Sequence, residues 1–193
     1  MRDGIHNSIV LMGCKHCGKT TQGKLLAQKL GVDFIDTDEE IGRLCGVDFR
    51  TLYKTKGVGA FVLAEEQACC EIVKKYENQQ LVIATGGGIC DNPPALHALR
   101  DCGTFVFLKL DIKYSVKRIM EKIEENPLGG FKNAPAYVMD ENPQSLKQIE
   151  EILMKKYTER YQQYQSIADV IVDIKNAPIE ENLQTLLGAL NIK

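Results

Sequence analysis

The sequence predicts an α/β fold of three layers, with a central five-stranded parallel sheet and helices on both faces. Three observations predict it. Five short β-rich runs, at 9–12, 33–35, 81–84, 104–108 and 169–172, alternate with helix-patterned stretches. These runs are apolar almost throughout, as strands covered on both faces must be. The first run leads directly into Gly13-Cys14-Lys15-His16-Cys17-Gly18-Lys19-Thr20-Thr21, a G-x-x-x-x-G-K-[ST] stretch that belongs between a parallel strand and a helix. Right-handed crossovers then align the loop-bearing strand ends along one edge, where ligands of such sheets bind.

At 193 residues the chain is most simply one domain, 1–193, with enough material for a core that needs no staples. The composition, 44% hydrophobic and 26% charged with a net charge of -2, makes no electrostatic case for nucleic acid or a membrane surface. Small ligands are the expected partners. No stretch reaches the roughly 18 apolar residues of a membrane span, and the chain reads as a cytoplasmic monomer. Seven cysteines, at 14, 17, 45, 69, 70, 90 and 102, form no regular framework and fit reduced thiols. Cys14 and Cys17 make a C-x-x-C, but inside a loop where redox or metal work would compete with phosphate.

The chemistry of that loop needs each of its parts. Glycines let backbone N–H groups curl around phosphate oxygens, Lys19 adds a point charge, and Thr20 offers a hydroxyl to Mg2+. The helix expected over 19–30 contributes its positive N-terminal end. After the second strand, Thr37 and Glu40 have the spacing of a capping box for the next helix. Asp36, at the strand end, is placed to hold a Mg2+-bound water opposite Thr20, and Asp38 to face the transferred phosphoryl group.

A helix is expected over about 59–76, with Phe61, Ala64, Ala68, Ile72 and Tyr76 as its buried stripe and Glu65 on nearly the same face as Val62. The third strand ends in Gly86-Gly87-Gly88, which allows a close approach of backbone to ligand. Asn92-Pro93-Pro94 opens another helix, and 113–125 reads as one that carries Lys117 and Arg118. From 126 to 141 the pattern dissolves into Pro, Gly and Asn, long enough for a functional lid. Asn142-Pro143 opens a long helix with Leu146, Ile149, Leu153, Tyr157, Tyr161 and Tyr164 as its apolar stripe and Arg160 beside it.

The ordered set resembles the shikimate kinase family across nearly the whole chain. It comprises the phosphate loop, Asp36-Thr37-Asp38, Phe61 with Glu65, Gly86-Gly87-Gly88, Arg118, the segment from Arg160 to Tyr164 with Ile167-Ala168-Asp169, and Asn176-Ala177-Pro178. The resemblance implies a P-loop kinase fold with a mobile lid, and an ATP- and Mg2+-dependent transfer of the γ-phosphoryl group to a hydroxyl of shikimate or a related small hydroxy acid. It implies that Lys19 and Asp38 are catalytic and that Thr20 and Asp36 serve Mg2+. Glu65, Gly86, Gly87 and Gly88 would line the acceptor, with Arg160 as a fork on its carboxylate. Arg118, Asn176 and Pro178 would bound adenine.

Two departures stand out. The family carries a second carboxylate-binding Arg where this chain has Val62, and a lid Arg before Pro-Leu where it has Asn126. Between 121 and 142 two lysines, Lys122 and Lys132, oppose five acids, Glu121, Glu124, Glu125, Asp140 and Glu141, a net charge of -3. Lys15 and Lys132 are the candidates to replace the lid cation, and His16 stands where the family usually has Gly. Without the guanidinium at 62, an acceptor carboxylate is expected to lose about 1.5–3 kcal/mol of binding. Two other readings follow: a kinase for a different small polyol or sugar acid, and a nucleotide-binding regulatory protein that has lost turnover.

Overall fold

A computed structural model of the chain describes residues 7–126 and 130–192. Five strands, β1 (Ser8–Met12), β2 (Asp33–Asp36), β3 (Leu81–Ala84), β4 (Gly103–Leu110) and β7 (Val170–Ile174), form one sheet in the order β2-β3-β1-β4-β7. Every pairing in it is parallel, with Leu11 opposite Ala84 and Met12 opposite Phe107. The expected class and strand count therefore hold. Strand ends move by one or two residues, because a strand continues as long as its neighbour supplies hydrogen bonds.

Alternation along the strands builds a core on each face. Val10, Met12, Ile83, Phe105 and Phe107 point to the face covered by α3 (Phe49–Lys75), α4 (Pro93–Arg100), α5 (Ile112–Met120) and α7 (Leu146–Ile167), where they meet Ile72, Leu99, Val116, Leu153, Tyr157 and Tyr164. Ile9, Leu11, Val82, Val106 and Leu108 point to the other face, against Leu26 of α1 (Lys19–Leu30) and Leu186 of α8 (Ile179–Ala189). Full burial of each such side chain stabilises the fold by roughly 1.5–3 kcal/mol. The tyrosine stripe of α7 belongs to this core.

Three helix boundaries differ from expectation. α3 begins ten residues earlier than 59, but Gly57 inside it is non-helical (φ 81°, ψ 176°), so it is two helices joined at a kink and the expected stripe belongs to the second. α5 stops at Met120. The next residues include β5 (Glu124–Glu125), which pairs antiparallel with β6 (Phe131–Lys132) and puts a hairpin in what read as helix and loop. α7 starts at Leu146, not at Asn142-Pro143, because Ser145 is its N-cap and accepts from the Gln148 N–H.

Within 126–141, Pro127, Leu128 and Gly129 lie outside the described residues. The rest holds the β5/β6 hairpin and a short helix, α6 (Ala136–Met139), with Val138 fully buried. Tyr53 of α3 donates from its hydroxyl to Asp140 Oδ2 at 3.1 Å, tying this segment to the part of α3 that precedes the Gly57 kink. Among the described residues no helix is long and apolar enough to cross a membrane.

Candidate active site

β1 lies between β3 and β4, so the loop leaving it opens where the connections diverge to opposite sides of the sheet, the place where such folds bind ligands. That loop is shaped by three residues with positive φ: Gly13 (143°), His16 (67°) and Gly18 (100°), the last being the N-cap of α1. At Gly13 a Cβ would stand 2.8 Å from the Leu108 carbonyl and 2.9 Å from Cys17 Sγ, so no side chain fits. Lys19 is buried, and its ammonium donates to the Gly13 and Cys14 carbonyls at 2.7 and 3.1 Å. Thr20 and Thr21 follow on the exposed first turn of α1.

The electrostatics of the loop are those of an anion site. Burial, and then the nearby charges of Lys122, Lys15, Lys19 and Arg118, push the His16 imidazole down to about 4. Burial first, and the surrounding cations after it, keep it neutral at pH 7. Cys14 and Cys17 are fully buried, and burial pushes the Cys14 thiol far above its usual range, so it is a packed, protonated group rather than a reactive thiolate.

Thr20 donates from Oγ1 to Asp36 Oδ2 at 2.8 Å, bringing together the two residues expected to serve Mg2+. Hard oxygen donors of this kind fit an ion that keeps several of its own waters. Asp36 Oδ1 accepts the Asp38 N–H at 3.0 Å, so Asp36 is itself the N-cap of α2 (Thr37–Cys45). The capping box is thereby corrected. Thr37 is the first helical residue, and its hydroxyl instead accepts the Gly86 N–H at 3.0 Å, while Glu40 pairs with Arg43 at 2.6 Å. A tertiary partner won the threonine that local spacing had assigned to the helix end.

Arg118 of α5 and Asn176 are in direct contact. The guanidinium donates to the His16 carbonyl at 2.7 Å and to Asn176 Oδ1 at 2.8 Å, and Pro178 is the N-cap of α8 immediately beyond. Gln22 of α1 reaches the Ile179 carbonyl at 3.0 Å and closes this side of the phosphate loop.

The three glycines after β3 are each crowded by a different part of the site. A Cβ at Gly86 would stand 2.8 Å from Glu65 Oε1 and 3.1 Å from Asp38 Oδ1. At Gly87 it would stand 2.8 Å from the Lys15 backbone nitrogen, and at Gly88 2.8 Å from Arg160 Nη2. Phosphate loop, Asp38, Glu65 and Arg160 thus converge on Gly86-Gly87-Gly88.

Sequence reasoning missed four participants here. Arg160 does not present an open fork: its Nε and Nη2 donate to Asp91 Oδ2 at 3.0 and 2.8 Å, its Nη1 to the Gly87 carbonyl at 3.2 Å, and its plane lies 4.8 Å from the centroid of Tyr137. The Asn92 amide bridges the Val62 carbonyl and Glu65 Oε2, both at 2.9 Å. Asn92-Pro93 announced the N-cap of α4 correctly, but nothing in it announced the second duty. Lys122, the first of the charges acting on His16, was counted only as lid composition; Lys132, a candidate lid cation, instead sits in the hairpin opposite Glu124.

Glu65 is buried, and burial foremost, with Asp38 adding repulsion against the Asn92 hydrogen bond, pushes its carboxyl up to about 7. A carboxyl raised in the native state contributes stability that is present below about pH 4.5 and lost as pH rises through 7. Glu65→Gln is therefore expected to stabilise the protein at pH 8 relative to pH 4.5 by roughly 2–4 kcal/mol. Urea unfolding of both proteins at the two pH values measures it, and an equal difference at both would mean that Glu65 is not held protonated.

A family model described as shikimate kinase matches residues 15–191. Shikimate kinase of Francisella tularensis subsp. novicida is 33% identical over 173 residues, covering 90% of this chain and 88% of that protein, and that of Francisella philomiragia is 31% identical over the same length. A solved shikimate kinase from Acinetobacter baumannii in complex with shikimate superposes with a TM-score of 0.76 at 25% identity, covering 96% of this chain and 93% of that one. The enzyme from Aquifex aeolicus gives 0.65 at 27%, covering 95% and 96%. With the phosphate loop, the Thr20–Asp36 pair and the three-glycine cradle assembled along one sheet edge, and with matches spanning nearly the full length, the chain belongs to the shikimate kinase family and is an ATP-dependent phosphotransferase.

Proposed function

We propose that this phosphotransferase moves the γ-phosphoryl group of ATP to a hydroxyl of a small polyhydroxylated acceptor, shikimate or a related compound, seated over Gly86-Gly87-Gly88. The observation that carries the reading is the shared wall: the Lys15 backbone of the phosphate loop stands 2.8 Å from the point where a Gly87 Cβ would be. A triphosphate in the loop and an acceptor on the glycines would be neighbours without further movement of either element, and positioning of this kind supplies most of the catalysis in phosphoryl transfer.

Lys19 would carry charge on the transferred group, Asp38 would orient the acceptor hydroxyl and take its proton, and Arg118, Asn176 and Pro178 would bound the base. Gly13, Cys14, Lys15, His16, Cys17, Gly18 and Thr21 would offer backbone and hydroxyl donors to the phosphates. Thr20 and Asp36 would hold Mg2+, whose charge would offset that of the β- and γ-phosphates. ADP release followed against shikimate and other hydroxylated acids and polyols tests the reading, with the phosphorylated product identified by phosphorus NMR. ATP binding without transfer to any acceptor would favour a regulatory protein instead.

Wild-type affinity for shikimate is expected to be weak, since Val62 offers no guanidinium. Val62→Arg should lower the shikimate KM by roughly ten- to a hundredfold, the equivalent of one charge-assisted hydrogen bond. Steady-state kinetics decides it; tight shikimate binding by the unaltered protein would remove the premise.

A further inference from the structure

Resting on the acceptor site just described, we infer that Asp91 is an internal competitor for it: the Asp91 carboxylate occupies the Arg160 guanidinium and sets how strongly an acceptor carboxylate binds there. Arg160 Nε and Nη2 both donate to Asp91 Oδ2, at 3.0 and 2.8 Å, so the side edge of the guanidinium already holds a carboxylate in charge-assisted contact. Nη1 donates to the Gly87 carbonyl at 3.2 Å, and a Cβ at Gly88 would stand 2.8 Å from Nη2, so this same guanidinium borders the glycines. An acceptor carboxylate either displaces Asp91 from the side edge or takes the remaining N–H groups beside it. In both arrangements it contends with a negative charge held by the same cation.

Burial decides which member of the pair yields. The Arg160 side chain is 8% exposed, and it keeps the Gly87 carbonyl and the Tyr137 ring, 4.8 Å from its plane, whatever Asp91 does. The Asp91 side chain is 35% exposed and stands at the end of the short turn Ile89–Asp91, whose backbone is fixed by the Asp91 N–H on the Gly88 carbonyl at 2.9 Å. A carboxylate within reach of water loses less on leaving an ion pair than a buried guanidinium would. Arg160 therefore stays in place when Asp91 departs, which distinguishes a competitor from a support. Lys15, whose backbone borders Gly87, and Asp38 and Glu65 beside Gly86 are untouched by a change at 91, so a substitution there isolates one charge.

Steady-state kinetics with Mg-ATP, against shikimate and against its methyl ester, compare the unaltered protein with Asp91→Asn, which keeps an oxygen acceptor for Arg160 and removes the charge. The shikimate KM is expected to fall about tenfold and kcat to change by less than about twofold. The ester, which has no carboxylate to compete, should keep its KM within about twofold, so that the shikimate-to-ester ratio of kcat/KM rises about tenfold. A shikimate KM that does not fall would overturn the inference and leave the kinase reading standing; a rise would make Asp91 a positioning residue for Arg160 instead. An equal fall for the ester would overturn it as well, because the gain would not come from contest between carboxylates. Transfer to neither acceptor by either protein would overturn the acceptor site on which the inference rests.

Discussion

Lys19→Ala is expected to abolish most phosphoryl transfer, lowering kcat by roughly a hundred- to a thousandfold or more, and to weaken ATP binding. Lys19 is 8% exposed, and its ammonium is already held by the Gly13 and Cys14 carbonyls at 2.7 and 3.1 Å, so the charge is in place before a nucleotide arrives and costs no reorganisation during reaction. Alanine would remove that charge and leave the two carbonyls without their donor. Lys19→Met separates these effects, because it restores most of the buried volume without the ammonium. Calorimetric ATP affinity and turnover both unchanged in Lys19→Met would show that the loop works through its backbone alone. Recovery of the fold but not of turnover is the expected result.

Asp38→Asn should cut kcat by about a hundred- to ten-thousandfold, the range for a lost acid–base or orienting group, with ATP affinity changed far less. The substitution is clean because Asp36, not Asp38, caps α2: the helix start depends on the Asp36 carboxylate receiving the Asp38 N–H, which asparagine retains. A second readout follows from the neighbouring acid. Burial holds Glu65 near 7 first of all, and the Asp38 charge adds to it, so removing that charge should let the Glu65 carboxyl titrate lower. A carboxyl titration followed by NMR in the two proteins would reveal this shift even when turnover is too low to measure. Turnover near wild type would reduce Asp38 to a residue of the first helical turn.

The β5/β6 hairpin shows what stands in place of the family's lid cation. Asn126 stands where the resemblance expected a lid cation, at the end of β5, and its N–H donates to the Gly130 carbonyl at 2.9 Å across the hairpin turn. Lys132 lies opposite Glu124 in register. The cations that do act on the phosphate loop, Lys122, Lys15 and Arg118 beside Lys19, come from α5, from the residues just after it and from the loop itself.

Whatever depends on short-range rules was legible in the residues. Largely apolar runs of three to five placed the strands, G-x-x-x-x-G-K-T fixed a phosphate loop between a strand and α1 at Lys19–Leu30, and Asn92-Pro93 fixed the start of α4, since each is decided by side-chain period, backbone freedom or a missing N–H. The convergence of those loops was legible too, because a parallel sheet brings its strand ends to one edge whatever lies between them. What only the tertiary structure decided is who pairs with whom. Thr37 Oγ1 accepts the Gly86 N–H rather than capping its own helix, Asn92 caps α4 and also holds Glu65, and Arg160 donates to Asp91 and Gly87. Apart from the local cap at Asn92, these bonds join residues from 27 to 73 positions apart, where no sequence period reaches. Hydrogen-bonding groups with several reachable partners take the one that burial leaves unsatisfied, and burial is a property of the packed chain.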